Sequence, residues 1–230
     1  MNVLLFGSGG RETAFAWKIA QSQLLDELYV APGNPGVLEY GKSVDLKWNN
    51  FNQVKDFCIN KSIDMVIVGP EDPLVLGLAD YFSNTQVLSH IFFIGPKKVG
   101  AQLEGSKDFS KRFMSRHKIP TASYKTFRKD QVQEAVDYLK TVDAPYVLKA
   151  DGLAGGKGVV IHEDLNDAIV EIQEMLSDEK FGEASSQVVI EEFLEGIEFS
   201  IFVLTDGNGY LLLPEAKDYK RINEGDKGLN

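Results

Sequence analysis

The chain is poor in the residues that build cross-linked or metal-centred proteins. Cys58 is its one cysteine, so no disulfide can close within it, and its 3 histidines offer no zinc-ligand spacing; no metal ligand is assigned. Cys58 belongs to the apolar set Phe51, Val54, Phe57 and Cys58, where packing is its expected role. Positive charge is also short. Against 34 Asp and Glu there are 24 Lys and Arg, a net charge of -10, which excludes a bulk nucleic-acid binder but not one nucleotide in a local lysine-lined pocket. No apolar run approaches the roughly 20 residues of a membrane span. No basic leader with an apolar core opens the chain, so no membrane partner and a cytoplasmic compartment are expected. Internal repeats and low-complexity linkers are missing as well.

What remains is an ordinary globular composition, 43% hydrophobic and 25% charged, in 230 residues: one large domain or two small ones. The most informative stretch is 146–161. It reads as two short apolar strands, 146–150 and 158–161, joined by a loop holding Gly152, Gly155 and Gly156. A lysine inside the first strand, Lys149, needs a reason to hold its charge among apolar neighbours. The loop offers one, because glycines allow successive N–H groups to converge on an anion, and Lys149 and Lys157 add full positive charge. The stretch is not a Walker A loop: Gly158 follows Lys157 where Ser or Thr is required, and β-formers follow instead of a helix. A flexible flap over a nucleotide triphosphate is the sharper reading, and a hairpin with a merely tight turn the plainer one.

Along the chain, 2–6 is a strand running into Gly7-Ser8-Gly9-Gly10-Arg11-Glu12, with a helix over 13–21. Glu12 stands where the dinucleotide fingerprint wants its third glycine, so a phosphate-bearing substrate other than a dinucleotide is favoured over a purely structural turn. A strand at 28–31 ends in Pro32-Gly33-Asn34-Pro35-Gly36; a helix follows at 51–61. A strand at 65–68 ends in Gly69-Pro70-Glu71-Asp72-Pro73, with a helix over 74–82 and a strand at 91–94. This βαβα alternation predicts a parallel, Rossmann-like sheet, with ligands beyond the carboxyl ends of its strands. Three such ends carry Gly-rich or Gly-Pro loops. Glu71 and Asp72 are either a general-base or amine-binding pair, or Asp72 only starts a helix before Pro73.

Ser106 is placed as the N-cap of a helix over 107–116, with Phe109 and Phe113 on its apolar face. Lys107 at the start of that helix opposes the dipole, which points it toward a phosphate. After a boundary at Ile119-Pro120-Thr121 come a strand at 124–127, helices over 129–140 and 165–176, and a strand at 187–192. A hairpin of 199–205 and 210–213 turns around Asp206-Gly207-Asn208-Gly209.

Together these pieces resemble the ATP-grasp ligases, and within them the phosphoribosylamine–glycine ligase family of purine biosynthesis. The matching stretches are Gly7 to Glu12, Ala31-Pro32-Gly33-Asn34, Val68-Gly69-Pro70-Glu71 with Pro73-Leu74-Val75, Gln102 to Lys107, Lys149 to Ala154 with Gly156-Lys157-Gly158, and Val189 to Leu194. The resemblance implies an α/β fold in three parts: a Rossmann-like substrate domain over 1–119, a small mobile ATP-grasp lid over 120–190, and the start of the larger ATP-grasp subdomain over 191–230. It implies ATP held by Lys107, Lys149, the loop Gly152, Gly155, Gly156, Lys157 and Gly158, and an adenine site at Glu191, Glu192, Phe193 and Leu194, with Glu198 on the ribose. Gly9, Gly10, Arg11, Glu12, Asn34, Gly69, Pro70, Glu71 and Asp72 would bind substrate, with Asp218, Lys220 and Arg221 on the acyl-phosphate and glycine side. Lys149 and Arg221 would be catalytic.

The implied partners are glycine, phosphoribosylamine and ATP, on a monomer. Mg²⁺ ligands are expected beyond residue 230, so residues 1–230 are expected to be part of the enzyme and to turn over poorly alone. Two departures stand out: Thr13 where the family has His, and Tyr219 within Asp218-Tyr219-Lys220-Arg221 where the family has His. The competing readings are another ATP-grasp ligase or carboxylase, a nicotinamide-dependent oxidoreductase, and a non-catalytic nucleotide-binding module.

Overall fold

The computed structural model describes residues 1–154, 158–177, 186–217 and 223–224. Two compact units emerge, Met1–Glu192 and Phe193–Asn230.

The first unit opens with β1 (Asn2–Gly7), α1 (Gly10–Ile19), β2 (Glu27–Pro32), β3 (Lys42–Ser43), α2 (Phe51–Asn60), β4 (Met65–Val68), α3 (Asp72–Leu76), α4 (Leu78–Asn84) and β5 (Phe92–Ile94). The five strands form one parallel sheet in the order β3-β2-β1-β4-β5. Central β1 is apolar from Val3 to Phe6 because both of its faces are covered. Leu4 and Phe6 pack with Val54, Cys58, Leu78 and Phe82 on one side, while Val3 and Leu5 pack with Ala16, Val30 and Val37 on the other. The expected alternation is therefore present, and its crossovers bring the carboxyl ends of β2, β1 and β4 side by side.

Three details differ from the sequence-based expectation. The helix expected over 74–82 is two helices, because Gly77 takes a left-handed φ of +100° and closes α3 before α4 begins. The first helix starts at Gly10 rather than residue 13, since Glu12 reaches back to the chain just ahead of it. A further helix, α5 (Lys98–Gly105), was not expected: only Ala101 in it is buried, so it lacks the apolar stripe that pattern reading needs.

The second half of this unit holds α6 (Lys107–Arg116), β6 (Tyr124–Arg128), α7 (Val132–Leu139), β7 (Tyr146–Ala150), β8 (Val159–His162), α8 (Leu165–Ser177) and β9 (Gln187–Glu191). Its sheet is antiparallel, in the order β6-β9-β7-β8. Tyr146, Leu148, Ala150, Val188 and Ile190 turn one face onto α7 and α8, against Leu139, Ile172 and Met175. Alternation along a strand then sends Lys149 and Glu191 to the opposite face. The expected helix over 129–140 begins with a 3₁₀ turn, Lys129–Gln131, before α7 proper.

In the second unit β10 (Val203–Thr205) and β11 (Tyr210–Leu212) pair antiparallel, and Ser200 bridges Ala216. The turn works as its sequence suggests: Asp206 Oδ1 accepts the N–H groups of Asn208 (2.9 Å) and Gly209 (2.8 Å), and Gly207 has a φ of +90°. Among the described residues no helix is long and apolar enough to cross a membrane.

Candidate functional site

Three loops meet where β1, β2 and β4 end. The Gly33 N–H donates to the Gly7 carbonyl and the Gly69 N–H to the Phe6 carbonyl, each at 3.0 Å. Glu12, in the first turn of α1, is only 6% exposed, and its Oε2 accepts the Gly9 N–H at 2.7 Å. A methyl group placed on Gly7 or on Gly69 would run into the Glu12 side chain. The same carboxylate, filling the gap between two strand ends, crowds both positions, and Gly7 in addition takes a φ of +135°. Glu12 thus occupies inward space at the position where a dinucleotide fold keeps a glycine.

Asn34 stitches the second loop to the first. Its Nδ2 donates to the Ser8 carbonyl and to Thr13 Oγ1, both at 2.9 Å, and its Oδ1 accepts the Gly36 N–H at 2.8 Å. The departure at Thr13 is thereby accounted for within this chain, since its hydroxyl is one of the ties. Arg11 Nη1 reaches the Gly69 carbonyl at 3.3 Å, while Arg11, Gly9 and Gly10 stay exposed. Pro70 and Glu71 are half-buried, and Asp72 is exposed as the first residue of α3, next to Pro73. The candidates Gly9, Gly10, Arg11, Glu12, Asn34 and Gly69 are thus gathered at one strand-end cradle. What it offers an anion is the start of α1 and the Arg11 guanidinium.

A second cluster lies on the outer face of the antiparallel sheet. Register sets Glu191 opposite Val147 and Lys149 opposite Val189, so the two charged residues are diagonal neighbours. Lys149 Nζ meets Glu191 Oε2 at 3.0 Å. Helix α6 covers this face. Lys111, one turn beyond Lys107, sends its Nζ to the same Glu191 Oε2 at 2.8 Å, to Thr121 Oγ1 at 2.9 Å and to the Ala122 carbonyl at 3.2 Å. Asp108 accepts from Thr126 Oγ1 at 2.7 Å and pairs with Arg112 at 2.6 Å.

Phe109 and Phe113, expected on the apolar face of this helix, are half-buried. Its buried residues are Asp108 and Lys111, and Phe113 instead lies against His117, with ring centroids 4.4 Å apart. The face is charged because what it covers is charged. Lys107 and Lys111 are four apart and so share a side of the helix; that spacing was the available signal for Lys111.

At the foot of the flap, Asp151 is buried and its carboxylate accepts from Ser106 Oγ (3.0 Å) and the Asp108 N–H (2.7 Å). Ser106 is the N-cap anticipated, its Oγ accepting the Phe109 N–H at 3.0 Å. Lys107 Nζ donates to the Gly152 carbonyl at 3.2 Å. Burial pulls the Lys107 ammonium below its ordinary pKa, against the opposing field of Asp151, and Lys149 is close enough to lower it further. Gly158 packs against Ala154 and Ala150, with the Ala150 N–H donating to its carbonyl at 2.7 Å, so the flap leaves and rejoins the sheet at one point.

Glu192 is exposed, and the Ser123 N–H and hydroxyl, both 3.0 Å away, hold its carboxyl below the usual range. Phe193, Leu194 and Glu198 fall in the second unit and are exposed there. Gly155, Gly156 and Lys157 of the flap, with Asp218, Lys220 and Arg221, lie outside the described residues. Among the described residues, no group of three or more His, Cys, Asp or Glu side chains could hold a metal ion.

Two family models divide the chain. The phosphoribosylglycinamide synthetase N domain matches residues 1–104, and the ATP-grasp (A) domain of the same synthetase matches 105–230. The phosphoribosylamine–glycine ligase of Haemophilus influenzae is 47% identical over 232 residues, which take in 100% of this chain and 53% of that protein. The crystal structure of phosphoribosylamine–glycine ligase from Thermotoga maritima superposes with a TM-score of 0.78 at 31% identity, covering 100% of this chain and 53% of that one. An N5-carboxyaminoimidazole synthase from Aspergillus clavatus, solved with ADP and 5-aminoimidazole ribonucleotide, shares the fold at a TM-score of 0.67 and 15% identity, over 97% of this chain and 54% of that one. The chain spans about half the length of the curated relatives it matches. It belongs to the phosphoribosylglycinamide synthetase family, with that family's N domain followed by its ATP-grasp (A) domain.

Proposed function

We propose that this chain carries the substrate cradle and nucleotide flap of an ATP-dependent ligase that joins glycine to 5-phosphoribosylamine, giving glycinamide ribonucleotide, ADP and phosphate. The observation that carries the reading is the convergence of Lys149 and half-buried Lys107 at the root of a glycine-rich loop. Two ammonium groups there suit the triphosphate of ATP, with Gly152, Gly155, Gly156, Lys157 and Gly158 closing over it. Adenine is assigned to Glu191, Phe193 and Leu194, and the ribose to Glu198. The Gly9 to Glu12 loop, with Asn34 and Gly69, is the proposed phosphoribosylamine site, and Asp218, Lys220 and Arg221 the proposed glycine side. The domain division proposed is 1–119, 120–190 and 191–230, in a cytoplasmic protein.

In this scheme the glycine carboxylate attacks the γ-phosphorus, the bond to ADP breaks, and glycyl phosphate forms. The amine of phosphoribosylamine then attacks the acyl carbon and expels phosphate. Phosphoryl transfer asks the protein for alignment and charge neutralisation rather than a nucleophile. Mg²⁺ remains part of the expectation from the family, but no step is routed through it.

Equilibrium binding of ATP to residues 1–230 and to Lys149→Met tests the reading. Binding by the parent chain, at least about tenfold weaker in the variant, is expected from the loss of a charge-assisted phosphate contact. Equal binding by both, or none by the parent, would remove the assignment.

A further inference from the structure

Glu191 Oε2 is shared by two ammonium groups, Lys149 at 3.0 Å and Lys111 at 2.8 Å. The two lysines are not equivalent. Lys111 is 6% exposed and tied down by Thr121 Oγ1 and the Ala122 carbonyl. Lys149 has a 27% exposed side chain, and its ammonium group meets Glu191. If Lys149 is to serve a triphosphate, it must loosen its hold on a carboxylate whose side chain is only 6% exposed. Stranding a buried charge in that way is strongly unfavourable when no other partner stays behind. Here one does.

We propose that Lys111 is a positioning residue for nucleotide binding: it keeps Glu191 neutralised, so that Lys149 can exchange the carboxylate for the phosphates of ATP. The inference rests on the nucleotide reading above and adds a role that this reading does not need. Removing the Lys111 charge leaves Lys149 as the one ammonium group in direct contact with Glu191 among the described residues, and so holds it away from ATP. The packing side of Lys111, which joins α6 to the 121–122 segment, is a separate matter and would act on stability alone.

The test is a cycle of ATP-binding measurements on the 230-residue chain: parent, Lys111→Gln, Glu191→Gln and the double variant, with thermal unfolding of each. Lys111→Gln removes the charge while keeping an amide donor on a side chain one bond shorter; Lys111→Arg serves as the conservative rescue and as the second variant should Gln not fold. Expected are ATP binding at least about tenfold weaker in Lys111→Gln, recovery in Lys111→Arg, and no further loss when Lys111→Gln is added to Glu191→Gln. Parent-like ATP binding in Lys111→Gln, with only a lower unfolding temperature, would overturn the role. So would the same loss in both Glu191 backgrounds. A parent chain that binds no ATP instead defeats the nucleotide reading itself, which the single-variant results then cannot rescue.

Discussion

Asp151 caps a helix to which it does not belong: its Oδ1 accepts the Asp108 N–H at 2.7 Å, across 43 residues of sequence, while its own strand β7 has just ended. The first turn of a helix leaves N–H groups without intrahelical partners, and Ser106 satisfies one of them from the local side. Asp151 takes another, and in doing so fixes where Lys107 stands relative to the flap. Replacing it by Ala deletes a charged acceptor and leaves a buried N–H unpaired, a loss of about 1–3 kcal/mol. Urea unfolding of Asp151→Ala should show this as a lower midpoint at unchanged slope. A stability equal to the parent would mean that Ser106 alone suffices.

The contact between Glu12 and Gly69 makes a sharper prediction, because it is reciprocal. Gly69→Ala pushes a methyl group into the Glu12 side chain, and overpacking of this kind costs about 1–3 kcal/mol. In a Glu12→Ala background the obstacle is gone, so the same change should be nearly neutral. Denaturant melts of the four proteins give the coupling directly, expected at about 1 kcal/mol or more. Additive losses would show that Gly69 is constrained by its backbone instead.

Much of this arrangement is visible in the sequence, and what is hidden has a common cause. The apolar run of β1 and the turn residues after β1, β2 and β4 suffice to anticipate a parallel sheet with its ligand side at those ends, and a lysine in β7 announces itself as functional. Each of those signals is local. Lys111 and Asp151 escape because each has a partner far along the chain, Glu191 for the one and the start of α6 for the other, and Asp108 because charges on a helix ordinarily face water. The phenylalanines of α6 then look like its inner face, when the surface beneath is itself ionic. Likewise Gly77 inside an apolar stretch reads as a tolerated helix residue until its left-handed φ is seen.

That glycine can be tested by itself. A Cβ at Gly77 would lie 3.4 Å from Lys98 Cδ, an ordinary contact, so a Gly77→Ala variant suffers from backbone conformation and not from crowding. Forcing an L side chain into the left-handed region costs about 1–2 kcal/mol. Calorimetry should record a Tm lower by roughly 2–8 °C, with Gly77→Asn losing less because Asn enters this region more readily. Equal losses in both variants would shift the explanation from φ to packing against α5.

Cys58 supplies the pH-dependent case. It is 1% exposed on the buried side of α2, and burial pushes its thiol up to about 12, whereas an unfolded cysteine ionises near 8.5. The folded state therefore binds the proton more tightly. Its contribution to stability is complete below about pH 8, shrinks as pH rises past the unfolded value, and levels off only near 12. For one thiol with this shift, the loss by pH 10 is about 2 kcal/mol. Lysines and tyrosines titrate in the same range, so the informative quantity is the difference between the parent and Cys58→Ala. The variant should be less stable at pH 7 because of the cavity it leaves, and the gap should narrow between pH 8 and pH 10. A gap that stays constant across that window would mean that the thiol ionises as readily in the fold as in the unfolded chain. At neutral pH the same burial predicts that a thiol reagent labels Cys58 only at the rate at which the first unit opens.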